Sequence, residues 1–263
     1  NPSVIMESVH HFFKTVSGKP LIRPAWYYDV EQQGEGIADV TTHLIDLINW
    51  QCFPDKTIHY QSDVTVNAAK HWATPITLAE FSQSTQVDSF PAYLNRYIKK
   101  DVLEVMANGS LNYTVKGICI GIKVTWHYTP PTNGGDTFTS IKKGSKATLK
   151  IVQDEKNGFV KELYIQKEPD IDNRTFEAQL QKTVEQLQIT YPFLSVKNKK
   201  NGTYLIDIPQ EKRLGHEEHF SKVAKAFLHY VHNQDMPEWE NENTLAKYYI
   251  TTAAVEMAKK GNK

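Results

Sequence analysis

Apolar and polar positions change their spacing several times along the chain, and the changes mark its elements. Residues 3–17 carry helix-like spacing that ends at Gly18-Lys19-Pro20, a C-cap glycine followed by a stop. A short strand is predicted over 21–30. The glycine pair Gly34 and Gly36 leads into a second helix that stops before Pro54. Residues 57–67 read as a strand, 68–92 as an irregular polar and aromatic stretch, and 93–106 as a helix.

The centre of the chain alternates with a period of two. Between 113 and 128, Ile118, Ile120, Ile122, Val124, Trp126 and Tyr128 point one way, while Val115, Gly117, Cys119, Gly121, Thr125 and His127 point the other. One face is bulky and the other nearly bare. Small residues on a sheet face usually admit a close neighbour, and a second subunit is expected to cover it. A turn at 130–135 precedes strands near 137–142, 146–153 and 159–166.

Later elements alternate differently. A helix at about 174–190 is followed by a hairpin, 194–199 and 203–208, around Asn201-Gly202. Phe220, Val223, Ala224, Phe227, Leu228 and Val231 keep the spacing of an amphipathic helix, and a last helix covers 243–260. This order predicts an α+β fold: an open antiparallel or mixed sheet with helices packed mainly on one side, in a single domain over 1–263.

Charge and cysteine content narrow the picture. Thirty Lys+Arg balance thirty Asp+Glu, so the basic footprint of a nucleic-acid binder is missing. The basic run 197–200 precedes Asn-Gly and reads as a hairpin tip. Cys52 and Cys119 stand alone, which excludes a disulfide scaffold and a cysteine-rich zinc site. No apolar run reaches membrane-spanning length. The chain opens at Asn1-Pro2 without a methionine, which points to an upstream continuation; a cytoplasmic or envelope location would be decided there.

Candidate chemistry concentrates in the helix after the glycine pair. At roughly 100° per residue Asp39, His43, Asp46 and Trp50 share a narrow sector, while Val40, Leu44, Leu47 and Ile48 form another. A carboxylate-imidazole-carboxylate row beside a cleft suits proton transfer. The same spacing also fits an ordinary solvated i,i+4 pair, stabilising by a few tenths of a kcal/mol. In the preceding loop Trp26, Tyr28, Gln33 and Glu35 supply stacking surface and hydrogen-bonding groups of the kind that hold sugars or polyols.

Other motifs carry less. In the run 34–39 Asp39 stands where a dinucleotide loop needs its third glycine, and no βαβαβ order follows. The pair His216/His219 opens an amphipathic helix and reads as a solvated first turn. His229/His232 and His10/His11 lack a nearby carboxylate or cysteine to complete a metal site.

Residues 34–50 resemble the second-domain signature of the Gfo/Idh/MocA sugar oxidoreductases, written there roughly as G-G-G-x-L-x-D-x-G-x-H-x-x-D. Gly36, Asp39, His43 and Asp46 fall on it, and Thr41 stands where glycine is usual. The stretch 144–151, Gly-Ser-Lys-Ala-Thr-Leu-Lys-Ile, resembles the family's G-T-K-G-T-L-E-L strand, and 220–260 is similar to its terminal helix pair. The runs 7–13 and 26–36 look like a Bacteroidetes branch of oxidoreductases with a dedicated C-terminal domain. The family's N-terminal Rossmann half is not in this chain.

The resemblance implies that this chain is the substrate-binding and oligomerisation domain of an enzyme that oxidises a sugar or polyol hydroxyl with NAD or NADP, the cofactor being bound mainly by the absent domain. His43 would be the general acid/base and Asp39 its partner or a hydroxyl ligand. Asp46 would support them, and Trp26, Tyr28 and Gln33 would contact substrate. His71, Trp72 and His127 could close the pocket. The isolated chain is expected to be inactive. A non-catalytic carbohydrate-binding or assembly module with the same fold is the competing expectation, and redox-assisted glycoside hydrolysis is another activity the family allows.

Overall fold

Val4, Met6 and Ser8 alternate with Ile5, Glu7 and Val9, and in the computed structural model of the protein this period of two prevails over the helical spacing expected there. Residues Val4–His11 form strand β1, with Met6 fully buried and Glu7 exposed. β-branched residues at Val4, Ile5 and Val9 favour the pleated backbone once neighbours exist to pack them. The structure describes residues 1–16, 18–132, 134–213 and 216–261. Asn133 of the predicted 130–135 turn, and the side chains of His216 and Glu217, lie outside the described residues.

Eight further strands are β2 (Val64–Thr77), β3 (Val102–Val115), β4 (Ile118–His127), β5 (Thr137–Lys143), β6 (Ala147–Gln153), β7 (Glu162–Lys167), β8 (Ser195–Asn198) and β9 (Thr203–Asp207). They form one open sheet in the order β8-β9-β7-β6-β5-β1-β4-β3-β2, with Ile98–Lys99 paired beside β3. β1 runs parallel to β4 and antiparallel to β5; every other pairing among the described residues is antiparallel.

Several boundaries differ from the sequence expectation. The helix expected at 93–106 is a 3-10 turn, Ala92–Tyr97, followed by β3, because pairing with β2 and β4 outweighs local spacing. The stretch 57–67 begins with a helical turn, Tyr60–Asp63, before β2. β2 then continues through part of the stretch expected to be irregular, and helix α2 (Leu78–Thr85) follows, closed by a Thr77/Glu80 capping box. Residues 21–30 are not a strand; Ala25–Tyr28 forms a 3-10 turn.

The alternation at 113–128 is a hairpin rather than one strand. Lys116 and Gly117 both have positive φ, 47° and 80°, as a two-residue primed turn requires. Gly117 therefore belongs to the turn. A Cβ on Gly121 would meet Asn112 Oδ1 at 3.0 Å and Pro2 at 3.1 Å, so this part of the bare face is filled by the chain itself.

Numbering helices in chain order, α1 is Val40–Cys52, α3 Asn173–Gln188, α4 His216–Asn233 and α5 Glu238–Gly261. α1 and α5 pack against one another and on the sheet face that carries Met6, Ile120, Ile122 and Val124. Ala246, Ile250, Ala254 and Ala258 give α5 a buried stripe of mostly small residues, which lets it lie close to β2. α3 covers the far end of the sheet, where Phe176 meets Tyr204 at 5.7 Å and Val184 is buried. The result is the α+β arrangement expected from the order of elements. α4 is the exception: its apolar stripe faces outward, with Val223, Phe227 and Leu228 each more than 60% exposed.

Candidate functional site

The site grows from the loop between Asp29 and α1. Asp29 accepts hydrogen bonds from Glu31 N (3.1 Å) and Gln32 Nε2 (2.8 Å), which start a single helical turn over Val30–Gln33. Gly34 follows with φ 96°. Gly36 is pressed on β3: its N–H donates to Met106 O at 3.0 Å, and a Cβ there would stand 2.0 Å from Ala107 O. Ile37 in turn lies over Gly109, whose own Cβ would come within 2.3 Å of Ile37 Cγ1. The glycine pair thus serves close approach of two backbones. With Gly36 N–H donated to β3 and the loop pressed flat on that strand, the run does not form a phosphate cradle, and no dinucleotide chemistry is assigned to it.

Two further contacts fix this loop. Glu35 accepts from His71 Nδ1 at 2.7 Å in a nearly closed pair, and Lys259 of α5 adds a cation at 3.1 Å. Thr41, in the place where the resemblance expects glycine, is fully buried and donates to Gly36 O at 3.0 Å.

This bracing sets Asp39 at the start of α1, in a small niche it shares with Phe12, Tyr27, Gln33 and Trp126. Burial raises the Asp39 pKa; a hydrogen bond from Gln33 and the nearby His43, His10 and Arg23 act in the opposite direction. The aromatic walls meet at ring-centroid distances of 5.0 Å for Phe12–Trp126 and 6.2 Å for Tyr27–Trp126. Arg23 lies over Tyr27 at 4.1 Å and over Trp126 at 5.4 Å, held by bonds from its Nε to Phe12 O (2.7 Å) and its Nη2 to His11 O (3.2 Å). Burial first, and Asp39 among nearby groups, push the Tyr27 hydroxyl up to about 12.

A second cluster closes the end of β1. Asp136 sits against His11 Nδ1 (3.0 Å), His10 Nδ1 (3.4 Å) and Lys14 Nζ. Burial would raise the Asp136 pKa, but hydrogen bonds from His10, His11 and Lys14 outweigh it and hold the carboxyl well below the usual range. The His10 ring also lies 5.0 Å from Trp126.

The sequence-derived residues distribute unevenly over this geometry. Asp39 and Gln33 share the niche, and His43 stands one turn along α1, solvent-exposed and electrostatically coupled to Asp39. Asp46 turns away from them and pairs with Lys247 of α5 at 2.8 Å, so the row of three divides. Trp26 is exposed. Tyr28 is not brought to the niche: it is fully buried, stacked on Phe12 at 5.1 Å, with its hydroxyl 2.5 Å from Ser84. Its neighbour Tyr27 occupies the place. His71 braces the loop from behind, while Trp72 and His127 follow the sheet's alternation to the other face.

Sequence reasoning passed over His10, Arg23, Tyr27, Trp126 and Asp136. A correct strand assignment for β1 would have carried His10 and Phe12 to the strand end beside Trp126, which pairs with His10 in register. Nothing in the spacing announces Asp136, which is 125 residues from His11. Among the described residues no group of three or more His, Cys, Asp and Glu side chains is placed to hold a metal ion, and no helix is long and apolar enough to cross a membrane.

An open, mostly antiparallel sheet with helices on one face is the architecture of oxidoreductase C-terminal domains. Residues 1–259 match the family described as "Putative oxidoreductase C terminal domain", and the chain belongs to that family. A putative oxidoreductase from Parabacteroides merdae ATCC 43184, known from its crystal structure, is 43% identical, covering 99% of this chain and 59% of its own, with a TM-score of 0.97. More distant solved structures share the fold: putative oxidoreductases from Thermotoga maritima (14% identity, TM-score 0.50, 98% of this chain and 53% of that one) and Erwinia carotovora atroseptica SCRI1043 (11%, 0.52, 97% and 55%). The chain therefore spans between half and three-fifths of each of these proteins. No curated protein matches it.

Proposed function

We propose that this chain is the substrate-binding domain of an NAD(P)-dependent oxidoreductase acting on a sugar or polyol hydroxyl. The observation that carries the reading is Asp39: a carboxyl held in an aromatic niche, hydrogen-bonded to Gln33, with the His43 imidazole one turn away. The nicotinamide, bound mainly by a domain outside this chain, would supply the hydride acceptor. The exposed Trp26 ring beside Tyr27 offers a flat face for the C–H side of a sugar ring, as aromatic rings do for apolar surface. Gln33 and Asp39 offer hydrogen bonds to adjacent hydroxyls. His43, free to exchange protons with water, takes the hydroxyl proton.

The second face of the sheet, where Ile5, Val9 and Ile141 are half-buried, is proposed to associate with another subunit. The direct test is reduced-nicotinamide absorbance with a protein that joins this chain to its nucleotide-binding half, screened against sugars and polyols with both NAD and NADP. Turnover that is lost in His43→Ala supports the reading. Saturable sugar binding without turnover for any cofactor would move the chain to a non-catalytic carbohydrate-binding module.

A further inference from the structure

α4 presents its apolar side to solvent. Val223, Phe227, Leu228 and Val231 are 62, 64, 63 and 59% exposed, values expected of polar surface residues. With Phe220 and Ala224 they fall inside a sector of about 140° on a helix of 100° per residue. Lys222, Lys225, His229 and His232 lie on the other side, so between Phe220 and Val231 the stripe carries no charge. Helices with this pattern bury the stripe against something.

We infer that α4 pairs with α4 of a second copy of this chain, antiparallel, about a two-fold axis between residues 225 and 226. The stripe is symmetric about that point: reversing the helix there exchanges Val223 with Leu228, Ala224 with Phe227, and Phe220 with Val231. A self-complementary patch is what a two-fold interface needs. Ala224 leaves a hollow opposite the partner helix's aromatic ring, in the manner of knobs into holes. The antiparallel arrangement also opposes the two helix dipoles favourably, and it keeps Lys222, Lys225, His229 and His232 of both helices off the seam.

The stripe offers an area suited to a small two-fold contact. The four exposed side chains offer on the order of 400 Å² per copy, taking 150–250 Å² for a whole aromatic side chain and somewhat less for Val and Leu. His219, in the first turns of α4, borders an apolar groove with Leu187 and Tyr191, which are 45 and 48% exposed, and Met236 just beyond α4 is 44% exposed. That groove lies to one side of the stripe, so the stripe itself supplies about half of the roughly 800 Å² per copy of a standard interface, the range of small pairings. This face is distinct from the sheet face proposed above, and it stands or falls independently of the enzymatic reading.

Light scattering over a wide concentration range, on the protein that joins this chain to its nucleotide-binding half, tests it, with Phe227→Asp and Leu228→Asp as disruptions and Lys222→Glu as the control on the opposite side. Each variant's circular dichroism confirms the fold, which these exposed positions should leave intact. The expected result is that either aspartate halves the particle mass at concentrations where the parent and Lys222→Glu remain associated. A joined protein that is monomeric throughout, or an association that survives both aspartates, overturns the proposal; the first result would assign the stripe to the nucleotide-binding half, the second would assign the contact to the sheet face.

Discussion

Gly36 is the residue whose replacement has the most predictable consequence. In Gly36→Ala the new methyl would lie 2.0 Å from Ala107 O, 2.4 Å from Ala107 C and 2.8 Å from Asn108 N, all backbone atoms that no rotamer change can move. Restoring an ordinary contact of 3.4 Å needs a shift of about 1.4 Å between the loop and β3. That shift strains two bonds at Gly36, its N–H to Met106 O and its C=O from Thr41 Oγ1, each 3.0 Å. With about 1 kcal/mol for each hydrogen bond and 1–3 kcal/mol for the overpacking, the expected loss is about 3 kcal/mol. Gly117→Ala isolates the backbone contribution, since it has φ 80° but nothing within 4 Å, and should cost only about 1 kcal/mol. Urea unfolding measures both. Gly36→Ala should lower the midpoint by roughly 1 M or more with an unchanged slope. If its loss does not exceed that of Gly117→Ala, the claim that β3 contact requires the glycine is wrong.

Other expectations address charge and chemistry. Asp136→Asn should lose about 2 kcal/mol at pH 7, because it breaks a partly buried ionic cluster. The parent's Asp136 has a depressed folded pKa, so its contribution is present above the unfolded value near 4 and fades as pH falls below it; denaturation of both proteins from pH 7 to pH 3 should show the gap closing. Asp39 has a raised folded pKa, so ionising it costs stability as pH rises through the unfolded value. Asp39→Asn should accordingly gain thermal midpoint over the parent at pH 7 and lose that advantage at pH 3. In the complete enzyme His43→Ala should reduce kcat about 100-fold while leaving the unfolding midpoint unchanged, since the side chain is exposed. Equal turnover for parent and variant would leave His43 an ordinary surface residue.

Where local pattern and tertiary setting agree, the sequence was readable. α1 stops at Cys52 just before Pro54, the 195–207 hairpin turns at Asn201-Gly202, and α3 and α5 fall close to their predicted spans. The errors lie where non-local pairing decides. β1 and β3 carry enough apolar residues at both spacings to fit either period, and only their neighbours in the sheet choose the strand. Of the candidate site, Asp39, His43 and Gln33 were legible because they are local to one loop and one helix. Tyr28, read as a loop residue with stacking surface, is turned inward by the 3-10 turn Ala25–Tyr28, which leaves Tyr27 at the niche. Asp46 lies on the predicted sector, yet Lys247, 201 residues away, draws it elsewhere.

The place of β1 bears on how the chain reaches this fold. It precedes every other strand of this sheet in the sequence, yet it lies mid-sheet between β4 and β5, and its contacts join residues more than 100 positions apart. Closing such a loop costs entropy before any contact repays it, whereas the β3–β4 hairpin closes through a two-residue turn. Hairpins should form first, and β1 should enter late, filling a slot that until then exposes an edge of β4 with Ile120, Ile122 and Val124 beside it. Pulse-labelling hydrogen exchange during refolding would place protection of β1 amides after that of β3 and β4. During synthesis β1 must wait for β4 and β5, made more than 100 residues later, and until it enters, the unfilled slot is the surface most open to mispairing with another molecule.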